Sequence, residues 1–290
     1  MEPAKKYLAI FFIFIITVIT TIVILFPTLQ PTEREKAGGF SLEPVSYVKI
    51  VVVVDNNEGV QDLETAWGVS MYVETDKDVF LFDTGPDPGV LKRNMDRLSI
   101  NPASINFVFI SHEHGDHTGG LSYLAALNED LLVYLPAHSS SSLKERTSKY
   151  FKVVEVKEPF VLSKGLLSSG ELYKGLYEQS LAIYVRDRGL VVLTGCSHPG
   201  VDVIVKHFHE LTGLPVFAVI GGFHLRGASE NRLEEIARTF LDLDVKMVFP
   251  IHCTGDKARQ FFAGRLGERY MDGHVGLTVF ISEEKVSVKG

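Results

Sequence analysis

Three histidines and an aspartate, His112, His114, Asp116 and His117, lie within six residues of the segment Ser111–Gly120, SHEHGDHTGG. Imidazoles and a carboxylate at this density are metal-ligand chemistry. His112 and His114 are two apart, so in extended chain they project to the same side, while Asp116 and His117 turn towards a second point. Two imidazoles on one ion, with a carboxylate and an imidazole on its neighbour, suit Zn²⁺ or another borderline divalent cation, Mn²⁺, Mg²⁺ and Fe²⁺ being the alternatives. A set of purely structural histidines is the competing reading, and the density of the cluster speaks against it.

Four further segments offer partners. Phe82–Gly85, FDTG, holds Asp83, which could hydrogen-bond a ligand histidine from behind and fix its tautomer, or could simply turn the chain. VVLTGCSHPG, ending at Gly200, offers His198 as a ligand, and Cys196 two residues earlier is a soft thiolate ligand or a small buried apolar side chain. VIGGFHL offers His224 behind two glycines that permit close approach, as a ligand, a substrate contact or a proton shuttle. FPIHCTG offers His252; if the strand continues, Cys253 points the other way and packs. His138, His207, His209 and His274 show no partner pattern and read as structural or surface residues.

Each of these motifs follows an apolar, β-branched run, and a turn and a helical pattern come next. Runs at Val48–Val54, Val69–Glu74, Val79–Phe82, Phe107–Ile110, Leu131–Tyr134, Leu181–Val185, Leu190–Leu193, Val216–Ile220, Met247–Ile251 and Leu277–Ile281 predict strands. Helical spacing occupies Asp87–Leu98, Thr118–Asn128, Val201–Leu211, Ser229–Leu241 and Asp256–Leu266. Hairpins first and strand–helix alternation later predict an α/β sandwich, sheets inside and helices outside. Ligands at the tips of several strands then converge on one mouth of the sandwich.

The chain has 290 residues and a formal net charge of −7, which speaks against a general nucleic-acid binder. Two cysteines cannot make a disulfide framework, so an apolar core must hold the fold. After a short flank at residues 1–6, Tyr7–Phe26 is a run of 20 residues without charge, long enough for a transmembrane anchor and longer than the apolar part of a cleaved signal. A Pro/Gly-punctuated linker follows at residues 27–40, and the globular domain takes residues 41–290. Lys5 and Lys6 just before the apolar run favour a single-pass membrane protein with the domain on the extracytoplasmic side.

SHEHGDHTGG resembles the HxHxDH signature of the metallo-β-lactamase superfamily, and FDTG the aspartate motif before it. TGCSHPG, GGFHL and PIHCTG resemble one branch, that named for 7,8-dihydropterin-6-methyl-4-(β-D-ribofuranosyl)aminobenzene-5′-phosphate synthase. The resemblance covers Val48–Ser282. It implies an αββα sandwich and two metals, one on His112, His114 and His198, the other on Asp116, His117 and His252. Two departures matter: Cys196 stands where many members carry a bridging aspartate, and Trp67-Gly68 stands where branch relatives have His-Gly. No GxSxG motif occurs, so metal-activated attack is the favoured chemistry, with Asp116 and His224 as catalytic candidates. The leading expectation is a membrane-anchored dinuclear hydrolase of a small-molecule ester, lactone or phosphoester. The alternatives are the branch's transferase chemistry, joining a dihydropterin diphosphate to an arylamine ribofuranosyl phosphate, and a membrane-tethered binding module without turnover. The oligomeric state is not legible in the sequence.

Overall fold

Runs of valine, isoleucine and phenylalanine favour extended chain because branched and aromatic side chains pack well on a pleated surface. In the computed structural model, which describes residues 39–127 and 130–290, such runs form most of the strands. β1 (Tyr47–Val54), β2 (Ser70–Thr75) and β3 (Val79–Phe82) form an antiparallel meander. Then α1 (Pro88–Arg97) leads to β4 (Phe107–Phe109), α2 (Gly115–Thr118) and α3 (Leu121–Ala125) to β5 (Leu132–Pro136), and α4 (Ser141–Ser148) to β6 (Lys152–Val156). Strands β3 to β6 run parallel. The chain continues through β7 (Phe160–Ser163), β8 (Leu166–Ser168), the small hairpin β9 (Leu172–Tyr173) and β10 (Tyr177–Glu178), and β11 (Leu181–Val185). A second parallel set alternates with helices: β12 (Gly189–Thr194), α5 (Val201–Thr212), β13 (Val216–Gly222), α6 (Glu230–Asp242), β14 (Met247–Ile251) and α7 (Asp256–Leu266). Finally β15 (Thr278–Ser282) and β16 (Val286–Lys289) return to the first sheet beside β1.

The result is an eight-stranded sheet, β16-β15-β1-β2-β3-β4-β5-β6, and a six-stranded sheet, β14-β13-β12-β11-β8-β7. The period of two along each strand divides its side chains between two cores. Val48, Ile50 and Val52 of β1 meet Ile183, Val191 and Leu193 of the other sheet in the layer between the sheets. Val51 and Val53 face outwards to Leu91 and Met95 of α1 and to Leu121 and Leu124 of α3. On the far side, Leu190 and Val192 of β12 pack on Val201, Ile204, Val205 and Phe208, the shared face that the spacing of α5 predicts. Three apolar layers between four structural ones are the expected αββα sandwich.

Two expectations change. The single helix predicted from Thr118 is broken into α2 and α3 at Gly119-Gly120. A Cβ on Gly119 would lie 2.0 Å from the Pro86 carbonyl oxygen, and one on Gly120 2.1 Å from that of Thr84. The backbone after β3 therefore passes directly against the metal-motif loop, and only glycine admits it there.

The assignment as a single-pass membrane protein with an extracytoplasmic domain is the larger correction. Among the described residues no helix is long and apolar enough to cross a membrane. The longest, α6, has 13 residues and buries Leu233, Ile236, Ala237 and Phe240 on one face. At about 1.5 Å per residue it spans roughly 20 Å, short of the roughly 30 Å hydrocarbon layer. The apolar run Tyr7–Phe26 lies outside the described residues.

Candidate metal centre

In parallel strands the C-terminal ends share one edge of a sheet, so side chains just beyond those ends can meet. Asp83 follows β3, His112 follows β4, Cys196 and His198 follow β12, His224 follows β13 and His252 follows β14. The donor atoms of His112, His114 and His198 all lie within 4.8 Å of one another, and so do those of Asp116, His117 and His252. The sets adjoin: the His112 ring is 4.0 Å from that of His117 and 4.7 Å from that of His198, and His117 is 5.2 Å from His252.

The outer nitrogens of the rings are taken. His117 Nδ1 lies 2.7 Å from Asp83 Oδ2, His198 Nδ1 lies 2.7 Å from Glu178 Oε2, and His252 Nδ1 lies 3.0 Å from Asn56 Oδ1. Ser111 Oγ donates to Asp83 Oδ2 at 2.7 Å, which leaves it free to accept from His112 Nδ1 at 2.9 Å. These partners favour the proton on Nδ1 and leave Nε2 facing inwards, the tautomer that a metal needs. The inner atoms crowd together. His112 Nε2 is 3.0 Å from His114 Nδ1, and Asp116 Oδ2 is 3.4 Å from His252 Nε2 and 3.7 Å from His117 Nε2. His252 Nε2 is buried and makes no hydrogen bond, an orphan that a cation would satisfy. The residues present therefore fit divalent metal ions.

Cys196 connects the sets. Its sulfur lies 3.3 Å from His117 Nε2, and it shares donor groups with His112 and His117, with His198 and His224, and with His252 and Cys253. Cys253 departs from expectation. The strand stops at Ile251, His252 takes a left-handed backbone (φ 50°), and the turn brings the Cys253 sulfur to 3.3 Å from that of Cys196. Left-handed backbone is uncommon outside glycine, yet Asp83, Ser197, His224 and His252 all adopt it here. Such strain persists where the surroundings over-determine a site.

Burial dominates the electrostatics. It pushes the Asp83 carboxyl up against the pull of His117 and Ser111. It pushes His117 down, but the Asp83 carboxylate outweighs it and holds His117 above the ordinary imidazole value. His112, buried among other imidazoles, is held well below that value. Burial raises Asp116, but the His252 and His117 imidazoles facing it bring it down to about 2. Burial also raises Glu178, and the His198 imidazole with the backbone N–H groups of His198 and Ser197 brings it below the usual carboxylate range. In the thiol pair, burial raises Cys253, but hydrogen bonds from Cys196 and His224 and the His252 charge hold it well below the ordinary value; the hydrogen bond with Cys253 raises Cys196.

Every candidate from the sequence motifs is in this cluster or touches it. His224 is exposed, its ring 4.5 Å from that of His198. His138, His207, His209 and His274 lie elsewhere and bond to Glu171 or to backbone carbonyls. Sequence reasoning missed Glu178, Asp55 and Asn56. Glu178 is buried and accepts from the backbone N–H groups of Cys196, Ser197 and His198 at 2.7–2.9 Å. Asp55 accepts from the His252 N–H at 2.8 Å and orients Asn56 and Asn57. Asp55 carried a signal, an acid ending the run of four valines in β1 as Asp83 ends β3; Glu178, in the short strand YE, carried none.

The family model described as Metallo-beta-lactamase superfamily matches residues 68–252, a span holding all six proposed ligands. The chain belongs to the metallo-β-lactamase superfamily. Among its superfamily relatives, the 7,8-dihydropterin-6-methyl-4-(beta-D-ribofuranosyl)-aminobenzene-5′-phosphate synthase of Methanocaldococcus jannaschii is 30% identical, over 80% of this chain and 96% of its own. The solved structure of Tm1679, described as a metal-dependent hydrolase of the β-lactamase superfamily, is similar with a TM-score of 0.69 and 28% identity, over 81% of this chain and 100% of that one. The metallo-β-lactamase fold protein YhfI from Bacillus subtilis shares the fold at a TM-score of 0.62 and 13% identity, over 81% of this chain and 100% of that one.

Proposed function

We propose that this superfamily member is a dinuclear metal-dependent hydrolase of small esters, lactones or phosphoesters. The observation that carries the reading is the orientation of the imidazoles. His112, His117, His198 and His252 each have Nδ1 occupied from outside and Nε2 directed inwards, in two adjoining donor sets. His112, His114 and His198 would hold one ion, and Asp116, His117 and His252 the other. Cys196, shared among the donor groups, would add a thiolate ligand where many members of the superfamily carry an aspartate. Divalent ions held there, Zn²⁺ being the favoured identity, would supply a water of lowered pKa and polarise the scissile carbonyl or phosphoryl group.

The chain's own groups do the rest. Asp83, Glu178 and Asn56 hold the ligand rings in one tautomer. Asp116, held ionised by His252 and His117, stays an acceptor throughout the neutral range and orients the attacking water. His224 is exposed beside His198, and its hydrogen bond with Cys253 raises it above the ordinary imidazole value, which suits it to donate to a leaving oxygen.

A second reading has one observation in its favour, the 30% identity to the M. jannaschii synthase. The same donor sets suit displacement of a diphosphate by an arylamine. The test is metal analysis of the purified full chain joined to a screen of esters, lactones, phosphodiesters and the pterin diphosphate–arylamine pair. We expect two metal equivalents and hydrolysis that falls at least a hundredfold in His252→Ala. Condensation without hydrolysis transfers the assignment to the second reading, and a chain that binds no metal removes both.

A further inference from the structure

The chain's only tryptophan, Trp67, stands beside the metal centre with 49% of its surface exposed. Its place is set by the backbone of the centre itself. The Ala66 N–H donates to the Asp55 carbonyl at 3.1 Å, and the Val69 N–H donates to the Asp116 carbonyl at 3.3 Å. A Cβ on Gly68, whose φ is +157°, would sit 2.3 Å from the Asp116 carbonyl oxygen, so glycine is required for the approach. One neighbour of the indole is the proposed ligand His252, with ring centroids 4.9 Å apart.

The other neighbour is Arg226. Its guanidinium carbon lies 5.7 Å from the centre of the Trp67 ring. Arg226 follows His224 by two residues, and its Cα packs 3.3 Å from the Cβ position of Gly255, in the turn after His252. Among the described residues no carboxylate lies within ion-pair distance of Arg226, although the chain's formal charge is −7. An exposed guanidinium with five donors, steadied by an indole rather than by an acid, has its fork open towards solvent at the lip of the site. A bidentate oxyanion is the ligand that such a fork fits best.

We propose that Arg226, held over Trp67 at the lip of the metal centre, is an anion subsite for a phosphate or carboxylate that the substrate carries apart from the bond that reacts. Trp67 is the positioning residue, and the ligand class is a small ester, lactone or phosphoester with a second, anionic group. The inference rests on the hydrolase reading only for what the anion is attached to.

Trp67 is also the reporter. Its emission in the full chain is titrated with methyl phosphate and with acetate, both in the metal-loaded protein and after chelation. Saturable changes are expected in both forms, because the guanidinium needs no metal. Arg226→Gln is expected to weaken the apparent Kd at least tenfold in both forms while metal content stays unchanged, and Arg226→Lys to recover part of the loss. Saturation by methyl phosphate alone assigns a phosphate; saturation by both anions assigns an oxyanion of either kind. An Arg226→Gln protein that titrates like the original chain overturns the subsite. So does a signal that vanishes on chelation, since the anion then sits on the metals. Arg226-dependent binding in a protein that hydrolyses nothing in the screen leaves the subsite standing and removes the hydrolase reading. Turnover with Arg226-independent binding does the reverse.

Discussion

The two sheets furnish the candidate metal centre in different ways. The eight-stranded sheet delivers four donors, His112, His114, Asp116 and His117, from one loop after β4. The six-stranded sheet delivers its donors one strand at a time, from the tips of β12, β13 and β14. A single loop can be fixed by a single acid. Asp83 takes the Ser111 N–H, the Ser111 hydroxyl and His117 Nδ1, and through Ser111 it reaches His112. Separate tips need separate anchors, and there Glu178 holds the β12 tip while Asp55 and Asn56 hold the β14 tip. The sheets touch where Gly195 passes Ser111, a Cβ on Gly195 falling 2.0 Å from Ser111 Oγ.

If one acid governs the whole first-sheet loop, its loss is the largest single effect. Asp83→Ala leaves His117 Nδ1 and the Ser111 N–H unpartnered in the interior and takes away the acceptor of the Ser111 hydroxyl. Breaking a buried pair in this way costs about 3–5 kcal/mol. Urea unfolding of the metal-free chain measures it, and a loss under about 1 kcal/mol means that the loop is held by something else. Glu178→Gln comes next. The amide keeps the shape but turns an NH₂ towards the N–H groups of the β12 tip, so about 2–3 kcal/mol is expected. Metal titration should show weakening of the His198-dependent ion by roughly 10–100-fold with the other ion retained. Equal loss of both ions would mean that the anchors are not separate.

The same contrast decides what the sequence could reveal. SHEHGDHTGG is contiguous, so its set of donor side chains was legible from spacing alone, and the apolar run before it placed it on a strand tip. The outer layers were legible too, since α5 repeats its buried face at Val201, Ile204, Val205 and Phe208. Glu178 was not. It lies in a two-residue strand without apolar periodicity, and only the folded chain brings it under the backbone of residues 196–198. The direction read for Cys253 held only for a continuing strand; the strand stops at Ile251, and the left-handed turn at His252 sets the sulfur beside that of Cys196. Trp67 was visible as a departure from the branch, but its relation to Arg226 joins two loops far apart in the sequence.

A smaller effect tests the carboxylate of the first-sheet loop that faces a second-sheet ligand. Asp116 is held down to about 2 by His252 and His117. A carboxyl whose folded value is depressed binds fewer protons than the unfolded chain does. Its stabilisation is therefore complete above about pH 4 and is lost as pH falls towards 2. At about 1.4 kcal/mol per pH unit this comes to about 2 kcal/mol in the metal-free chain. Unfolding free energies between pH 5 and 3 should fall more steeply in the original chain than in Asp116→Asn. Parallel curves would show that Asp116 does not feel the imidazoles.

The smallest effect separates the two cysteines, which sit 3.3 Å apart and differ in what else they meet. Cys196 shares donor groups with ligands from both sheets, whereas Cys253 joins only a group that already contains Cys196 and His252. If Cys196 bridges the ions and Cys253 fills space behind it, Cys253→Ala removes one buried sulfur at about 1 kcal/mol and leaves two metal equivalents bound. Cys196→Ala should instead lower metal affinity at least tenfold, and its Co²⁺-loaded form should lack the thiolate-to-metal charge-transfer band. A band that survives in Cys196→Ala and disappears in Cys253→Ala would exchange the two roles. The second sheet would then supply its sulfur from the β14 tip, and the division of donors between the strand tips would have to be redrawn.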